Sequence, residues 1–125
     1  MLAASVQGRR DLRTSIRFTT VLPVHIRAPD FAEVTAIARN ISSGGMLLET
    51  PVSLLLGSEL EVRFEIPDSH ASIRVRAEVK NHYAFNYVQH GAIVSARGVG
   101  VRFLEFIEDG GELLRLSLTR MRTLH

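Results

Sequence analysis

The stretch ELEVRFEIPDSHASIRVRAEVK, which runs from Glu59 to Lys80, decides the fold. Each half alternates apolar and polar residues with the period of two that is typical of half-buried strands. The turn-forming residues Pro67, Asp68 and Ser69 separate the halves. The stretch therefore predicts two strands whose inward residues are Leu60, Val62, Phe64 and Ile66 in the first and Ile73, Val75, Ala77 and Val79 in the second.

Further short strands are predicted on both sides of this stretch. FTTVLPVHIRA begins at Phe18 and has Phe18, Val21, Val24 and Ile26 as buried candidates, while its proline indicates an edge strand or a bulge. EVTAIARN, MLLET and GVGVRFLEF follow at residues 33–40, 46–50 and 98–106. The segment 82–96 is ambiguous between a long hairpin tip and an inserted loop. Together these strands predict an all-β fold, a six-stranded antiparallel β-barrel.

After the last strand the hydrophobic period changes to that of a helix. Leu114, Leu118 and Met121 fall at i, i+4 and i+7, which places them on one apolar face. The pattern predicts a C-terminal α-helix over about 109–123 that closes the barrel.

Bulk composition restricts the class of protein. The 125 residues suit one domain, and 46% hydrophobic residues can form a core. The absence of cysteine excludes thiol chemistry and fits a reducing cytoplasm. No apolar run reaches the ~18 residues of a membrane span, and the N-terminus does not resemble a secretory signal. The histidines lack a metal-binding spacing and no catalytic constellation is present, so neither a metal site, a cofactor nor an enzyme is expected.

An arginine-rich arm, GRRDLRTSIRF, precedes the first predicted strand and runs from Gly8 to Phe18. It contains Arg9, Arg10, Arg13 and Arg17. Arginine presents a planar fork of donors that suits phosphate and guanine. Residues 1–17 lack a hydrophobic period, so they predict a mobile arm in front of a globular part over 18–125.

The turn NISSGGM, from Asn40 to Met46, lies between two predicted strands. An asparagine amide can meet the edge of a base, and a serine hydroxyl can meet a base or a phosphate. Glycine permits positive φ and a close approach to the backbone.

Together the arm and the turn resemble the two-part signature of PilZ domains, Arg-x-x-x-Arg followed by Asp/Asn-x-Ser-x-x-Gly. The arm fits in two frames, Arg9–Arg13 and Arg13–Arg17; the second is preferred because Arg17 leads directly into the strand with its Leu-Pro-Val run. The strand GVGVRF, from Gly98 to Phe103, is also similar to the family's Gly-x-Gly-Val-x-Phe strand.

The resemblance implies a bacterial, cytoplasmic, non-catalytic receptor for cyclic di-GMP that signals to a protein partner. The implied ligand-binding residues are Arg13, Arg17, Asn40, Ser42 and Gly45, with Arg9, Arg10, Ser43 and Gly44 as secondary candidates. Leu12 stands where some members have another basic residue, which favours one bound dinucleotide over two. The resemblance does not name the partner.

Two other functions stay open. One is a PilZ-type adaptor that binds no ligand and acts through protein contacts. The other is a small barrel for single-stranded nucleic acid, but such proteins expose aromatic side chains for base stacking, and a formal charge of +2 is low for a general nucleic-acid binder.

Overall fold

The computed structural model describes residues 3–6, 16–29, 31–66 and 71–124. It consists of one antiparallel sheet followed by one helix. The strands are β1 (Ala3–Val6), β2 (Ile16–Ala28), β3 (Phe31–Ile41), β4 (Gly45–Glu49), β5 (Glu59–Glu65), β6 (Ser72–Gln89) and β7 (Ala92–Phe106), and the helix is α1 (Gly110–Leu124). Helix α1 agrees with the predicted range to within one residue at each end.

The sheet has seven strands within the described residues, in the order β1-β2-β3-β4-β7-β6-β5, and β2 also pairs with β5. The predicted number of six strands is therefore not confirmed. The additional strand, β1, pairs with β2 from Ala3↔Thr19 to Val6↔Ile16. The short sequence Ala-Ala-Ser-Val has no detectable alternation, and β1 lies along a part of β2 that β5 leaves uncovered, because β5 pairs only with residues 25–27.

The core includes the residues predicted to face inward in β5, directly after it, and in β6. Leu60, Val62, Phe64 and Ile66 are all buried, as are Ile73, Val75, Ala77 and Val79. Phe18, Val24 and Ile26 of β2 are buried as well. These side chains leave water together, which is the main favourable contribution to folding.

The prediction for Val21 was wrong, since this side chain is 67% exposed. The buried side chains of Phe18, Val24 and Ile26 keep a period of two along β2, and this period places Val21 on the opposite face. A bulge is also present here, since the register between β2 and β3 shifts between Thr19 and Leu22. It lies close to Pro23, where the sequence indicated such an irregularity.

The ambiguous segment 82–96 forms a long hairpin of β6 and β7. The strands stay paired as far as Gln89↔Ala92. The two-residue turn consists of His90 and Gly91, with φ of 53° and 78°. Positive φ at both positions is the signature of the mirror-image turn that matches the twist of paired strands.

Helix α1 packs its apolar face against the sheet. Leu114 and Leu118, two of the three residues predicted to form that face, are buried. No helix among the described residues combines the length and the apolarity that crossing a membrane requires.

Candidate functional site

The turn between β3 and β4 is organised by Ser42, whose side chain is buried. The Gly44 amide donates a hydrogen bond to Ser42 Oγ (3.2 Å), and the hydroxyl faces the Gly45 carbonyl oxygen at 3.4 Å. The Ser42 amide donates to the same carbonyl (2.9 Å). A serine that bonds to a backbone amide two residues later stabilises a tight turn. In this structure the hydroxyl is therefore occupied in shaping the turn.

The two glycines of the turn have different surroundings. A Cβ on Gly45 would overlap the main-chain carbonyl oxygen of Val101 in β7, whereas a Cβ on Gly44 would meet nothing within 4 Å. Gly45 does not have the positive φ that its residue type permits. The close contact with β7 therefore explains why position 45 is a glycine. At Gly44, by contrast, the turn has open space beside it.

Strand pairing brings the start of β2 next to this turn. Phe18 pairs with Ile41, and Thr19 pairs with Asn40. Arg17 directly precedes Phe18, and its backbone pairs with Ser5 of β1. The structure thus places the backbone of Arg17 beside the beginning of the turn. Arg9, Arg10 and Arg13 lie outside the described residues.

A cleft of about 290 Å³ opens beside the turn on the outer face of the sheet. Asn40 pairs with Leu47, Leu47 pairs with Gly100, and Gly100 pairs with Asn81, so these four residues form a row across β3, β4, β7 and β6. All of them line the cleft, together with Gly44, Met46, Lys80, Tyr83, Val101 and Arg102. Asn40 and Gly44 are thus the predicted site residues that line this cleft.

The cleft carries positive charge that the sequence analysis did not identify. Arg102 Nη2 lies 3.3 Å and Lys80 Nζ 4.0 Å from Glu78 Oε1. Two cations share one carboxylate, so an anionic ligand would meet a net positive charge. No local signal in the sequence links these residues to Asn40, because the registers of three strand pairs bring them together.

A second polar cluster is centred on Arg39, the residue before Asn40 in β3. Arg39 donates from Nε (2.8 Å) and Nη2 (2.6 Å) to Glu49 Oε1. The guanidinium carbon lies 4.4 Å from the centre of the Tyr87 ring, and the Tyr87 hydroxyl donates to Glu49 Oε2 at 3.4 Å. Since Arg39 is the extra residue at a bulge between β3 and β4, this cluster fixes the bulge next to Asn40 and ties the long hairpin to it.

The described residues that line the cleft carry groups that could contact a ligand. No group of three or more His, Asp or Glu side chains is arranged to hold a metal ion within the part of the chain that the structure describes. The cleft offers amides, a tyrosine and two cations, which suit a ligand with both anionic and planar polar groups.

Solved structures with the same fold come from several bacteria. The Bacillus subtilis inhibitor of motility (MotI/DgrA) shares 23% identity with a TM-score of 0.65, over 94% of this chain and 53% of that protein. The PilZ domain of YcgR from Escherichia coli with c-di-GMP shares 12% identity with a TM-score of 0.65, over 98% and 92% of the chains. The MrkH–c-di-GMP complex of K. pneumonia shares 18% identity with a TM-score of 0.66, over 94% and 53%. The chain thus spans about half the length of MotI/DgrA and MrkH.

At the level of sequence, no significant match was found among curated proteins. The family model of the PilZ domain, however, matches residues 9–120. This range includes the arginine arm, the turn, the cleft and most of α1. The resemblance predicted from the arm and the turn is confirmed, and the chain belongs to the PilZ domain family.

Proposed function

We propose that this chain is a receptor domain for cyclic di-GMP. The observation that carries the proposal is the pairing of Phe18 with Ile41, which brings the end of the arginine arm to the turn that begins after Asn40. The backbone at the end of the arm, next to Arg17, is thus close to the turn, although the two are more than twenty residues apart in sequence. The structures of the YcgR PilZ domain and of MrkH, both with c-di-GMP, support the choice of ligand.

Each part of the site has a role that follows from its chemistry. Arg13 and Arg17 supply bidentate donors for guanine or phosphate oxygens. Asn40 presents an amide to the edge of a base, and the exposed backbone at Gly44 permits a close approach. Ser42 and Gly45 support the site by holding the turn in shape. Lys80 and Arg102 attract the phosphates.

We also propose that the ligand orders the arm. Val6 pairs with Ile16, so residues 7–15 connect two paired positions at the edge of β2. Arg9, Arg10 and Arg13 lie in this connection, where their like charges repel one another without an anion. A dinucleotide bound between the arm and the turn would offset that repulsion and the entropy of ordering. The ordered arm would then present a new surface to a protein partner in the bacterial cytoplasm.

This function requires no enzymatic step and no cofactor, since the receptor acts through a change of shape. The ladder from β2 through β3, β4, β7, β6 and β5 returns to β2, which supports a closed six-stranded barrel with β1 added outside it. A rigid closed barrel would keep the turn and the cleft fixed while the arm moves.

A ligand-independent adaptor is the second candidate. Val88 and Ile93 face each other across the tip of the long hairpin and are 72% and 77% exposed. Two exposed apolar side chains that face each other could contact a protein partner. Such a contact is compatible with the receptor function. It would be the sole function of the chain only if the chain binds no ligand.

Isothermal titration calorimetry separates the candidates. We expect cyclic di-GMP to bind with a Kd of about 1 μM or lower, which corresponds to about −8 kcal/mol. GTP and a short single-stranded RNA serve as controls. Heat from the RNA equal to that from cyclic di-GMP indicates a nucleic-acid binder. No heat from any of the three compounds indicates the ligand-independent adaptor.

A further inference from the structure

Tyr83 stands between the candidate cleft and a second, larger cleft. The second cleft has a volume of about 570 Å³ and lies between residues 50–54 and the base of the long hairpin. Of the described residues, Tyr83 alone lines both clefts. It is 43% exposed, so its ring is accessible to a ligand.

The ring of Tyr83 rests on β7 by its edge. A Cβ on Gly100 would lie 2.7 Å from Tyr83 Cε2 and 3.6 Å from both ring atoms bonded to it, Cδ2 and Cζ. Equal and clearly longer distances to both neighbours indicate an approach in the ring plane, since an atom above the ring face would be nearly as close to all three. The ring therefore stands on its edge against Gly100, and it lines both clefts.

The second cleft contains a cation without a carboxylate partner. Arg97 lines it and makes no ion pair with the residues that the structure describes. By contrast, Arg76 and Arg102, which also lie on β6 and β7, are each paired with glutamate. An exposed guanidinium beside an aromatic face is a suitable environment for a planar anionic ligand.

We propose that Tyr83 is a base-stacking residue and that the ligand straddles its ring. This inference rests on the proposed function. A cyclic dinucleotide has two bases, and one ring that lines both clefts can stack on both. One guanine would lie beside Asn40 in the first cleft, and the other beside Arg97 in the second. Tyr83 and Arg97 then add to the recognition by the arm and the turn, and favour ligands with two purines over mononucleotides.

Two substitutions of Tyr83 test the stacking. Tyr83→Leu removes the aromatic faces, so cyclic di-GMP should bind about tenfold more weakly or worse, whereas Tyr83→Phe keeps both faces and should bind within about twofold of the original chain. Unchanged affinity of the leucine variant, or an equal loss in both variants, overturns the proposal. Gly100→Ala should weaken binding by displacing the ring, and should have no further effect in the Tyr83→Leu background.

Arg97→Gln tests the second cleft, with the helix residue Arg120→Gln as the matched control. We expect a loss of about tenfold for Arg97 and none for Arg120. Equal affinity in the two variants means that the ligand does not extend past Tyr83 and overturns the straddling arrangement.

Proton NMR of a Tyr87→Phe variant gives a direct readout, because Tyr83 is then the only tyrosine of the chain. Its ring protons should shift strongly on adding cyclic di-GMP and much less with GMP. Binding heat without such a shift refutes the stacking while leaving the receptor function intact, whereas no binding heat at all refutes the receptor function itself.

Discussion

Gly45 of β4 packs directly against the main-chain carbonyl of Val101 in β7, so closely that a Cβ at this position would overlap the carbonyl oxygen. The contact lies at the first residue after the turn, where β4 begins to pair with β7. It explains why the motif requires glycine here without involving a ligand. The glycine allows the turn to sit close to β7, one wall of the cleft.

We therefore expect Gly45→Ala to destabilise the fold by about 1–3 kcal/mol, because the added methyl group forces β4 and β7 apart. Urea unfolding followed by circular dichroism measures the change. Gly44→Ala is the matched control, since open space surrounds that position. Similar unfolding midpoints for the two variants would contradict the assignment of Gly45 to packing.

Ser42→Ala should lower the free energy of unfolding by about 1 kcal/mol, since it removes the acceptor of the Gly44 amide. The same variant should bind cyclic di-GMP more weakly because the turn loses its fixed shape. Ser72→Ala, at an exposed position of β6 outside the turn, is the control for both measurements. A Ser42→Ala variant with full stability but reduced affinity would show that the hydroxyl contacts the ligand instead.

Arg13→Ala and Arg17→Ala should each weaken cyclic di-GMP binding about tenfold or more, since a bidentate arginine–guanine pair contributes about 1–3 kcal/mol. The melting temperature should change little. Arg115→Ala is the control, because Arg115 pairs with Glu112 on the exposed side of α1. If Arg9→Ala weakens binding while Arg17→Ala does not, the arm binds in the Arg9–Arg13 frame.

The Arg39–Glu49 pair should contribute more to stability than the ion pairs on β5 and β6. The Arg39 and Glu49 side chains are only 20% and 25% exposed, so water and salt screen the pair weakly. A double-mutant cycle with Arg39→Gln and Glu49→Gln should give a coupling energy of about 1 kcal/mol or more. The Arg76–Glu59 pair, which is more exposed, is the comparison and should give a clearly smaller coupling energy, because solvent screens it. Equal coupling energies would contradict this ranking.

Hydrogen exchange tests the ordering of the arm. On adding cyclic di-GMP, backbone protection should rise in residues 9–18 and stay nearly constant in α1. The Arg13→Ala variant at the same ligand concentration serves as the control. Full protection of residues 9–18 before ligand is added would indicate a preformed site, and the signal to a partner would then have to arise elsewhere.

Much of the fold could be predicted from the sequence because strand alternation and helix periodicity are local properties. The inward residues of β5 and β6, from Leu60 to Ile66 and from Ile73 to Val79, follow directly from a period of two. The same holds for Leu114 and Leu118 of α1, whose spacing is that of a helix face. The motif of Asn40, Ser42 and Gly45 could also be recognised in one dimension, because its residues lie in a single turn.

The tertiary structure alone decided which of these parts meet. The pairing of Ala3–Val6 with the edge of β2, and the bulge between Thr19 and Leu22, depend on contacts between strands. The cleft depends on three registers at once, since Asn40, Gly100 and Asn81 come from β3, β7 and β6. A local pattern states which face of a strand is buried, but the neighbour of that strand depends on how all the strands pack around one core. For this reason the sequence did not indicate Tyr83, Lys80 and Arg102 as candidates for binding, whereas their places in the assembled sheet do.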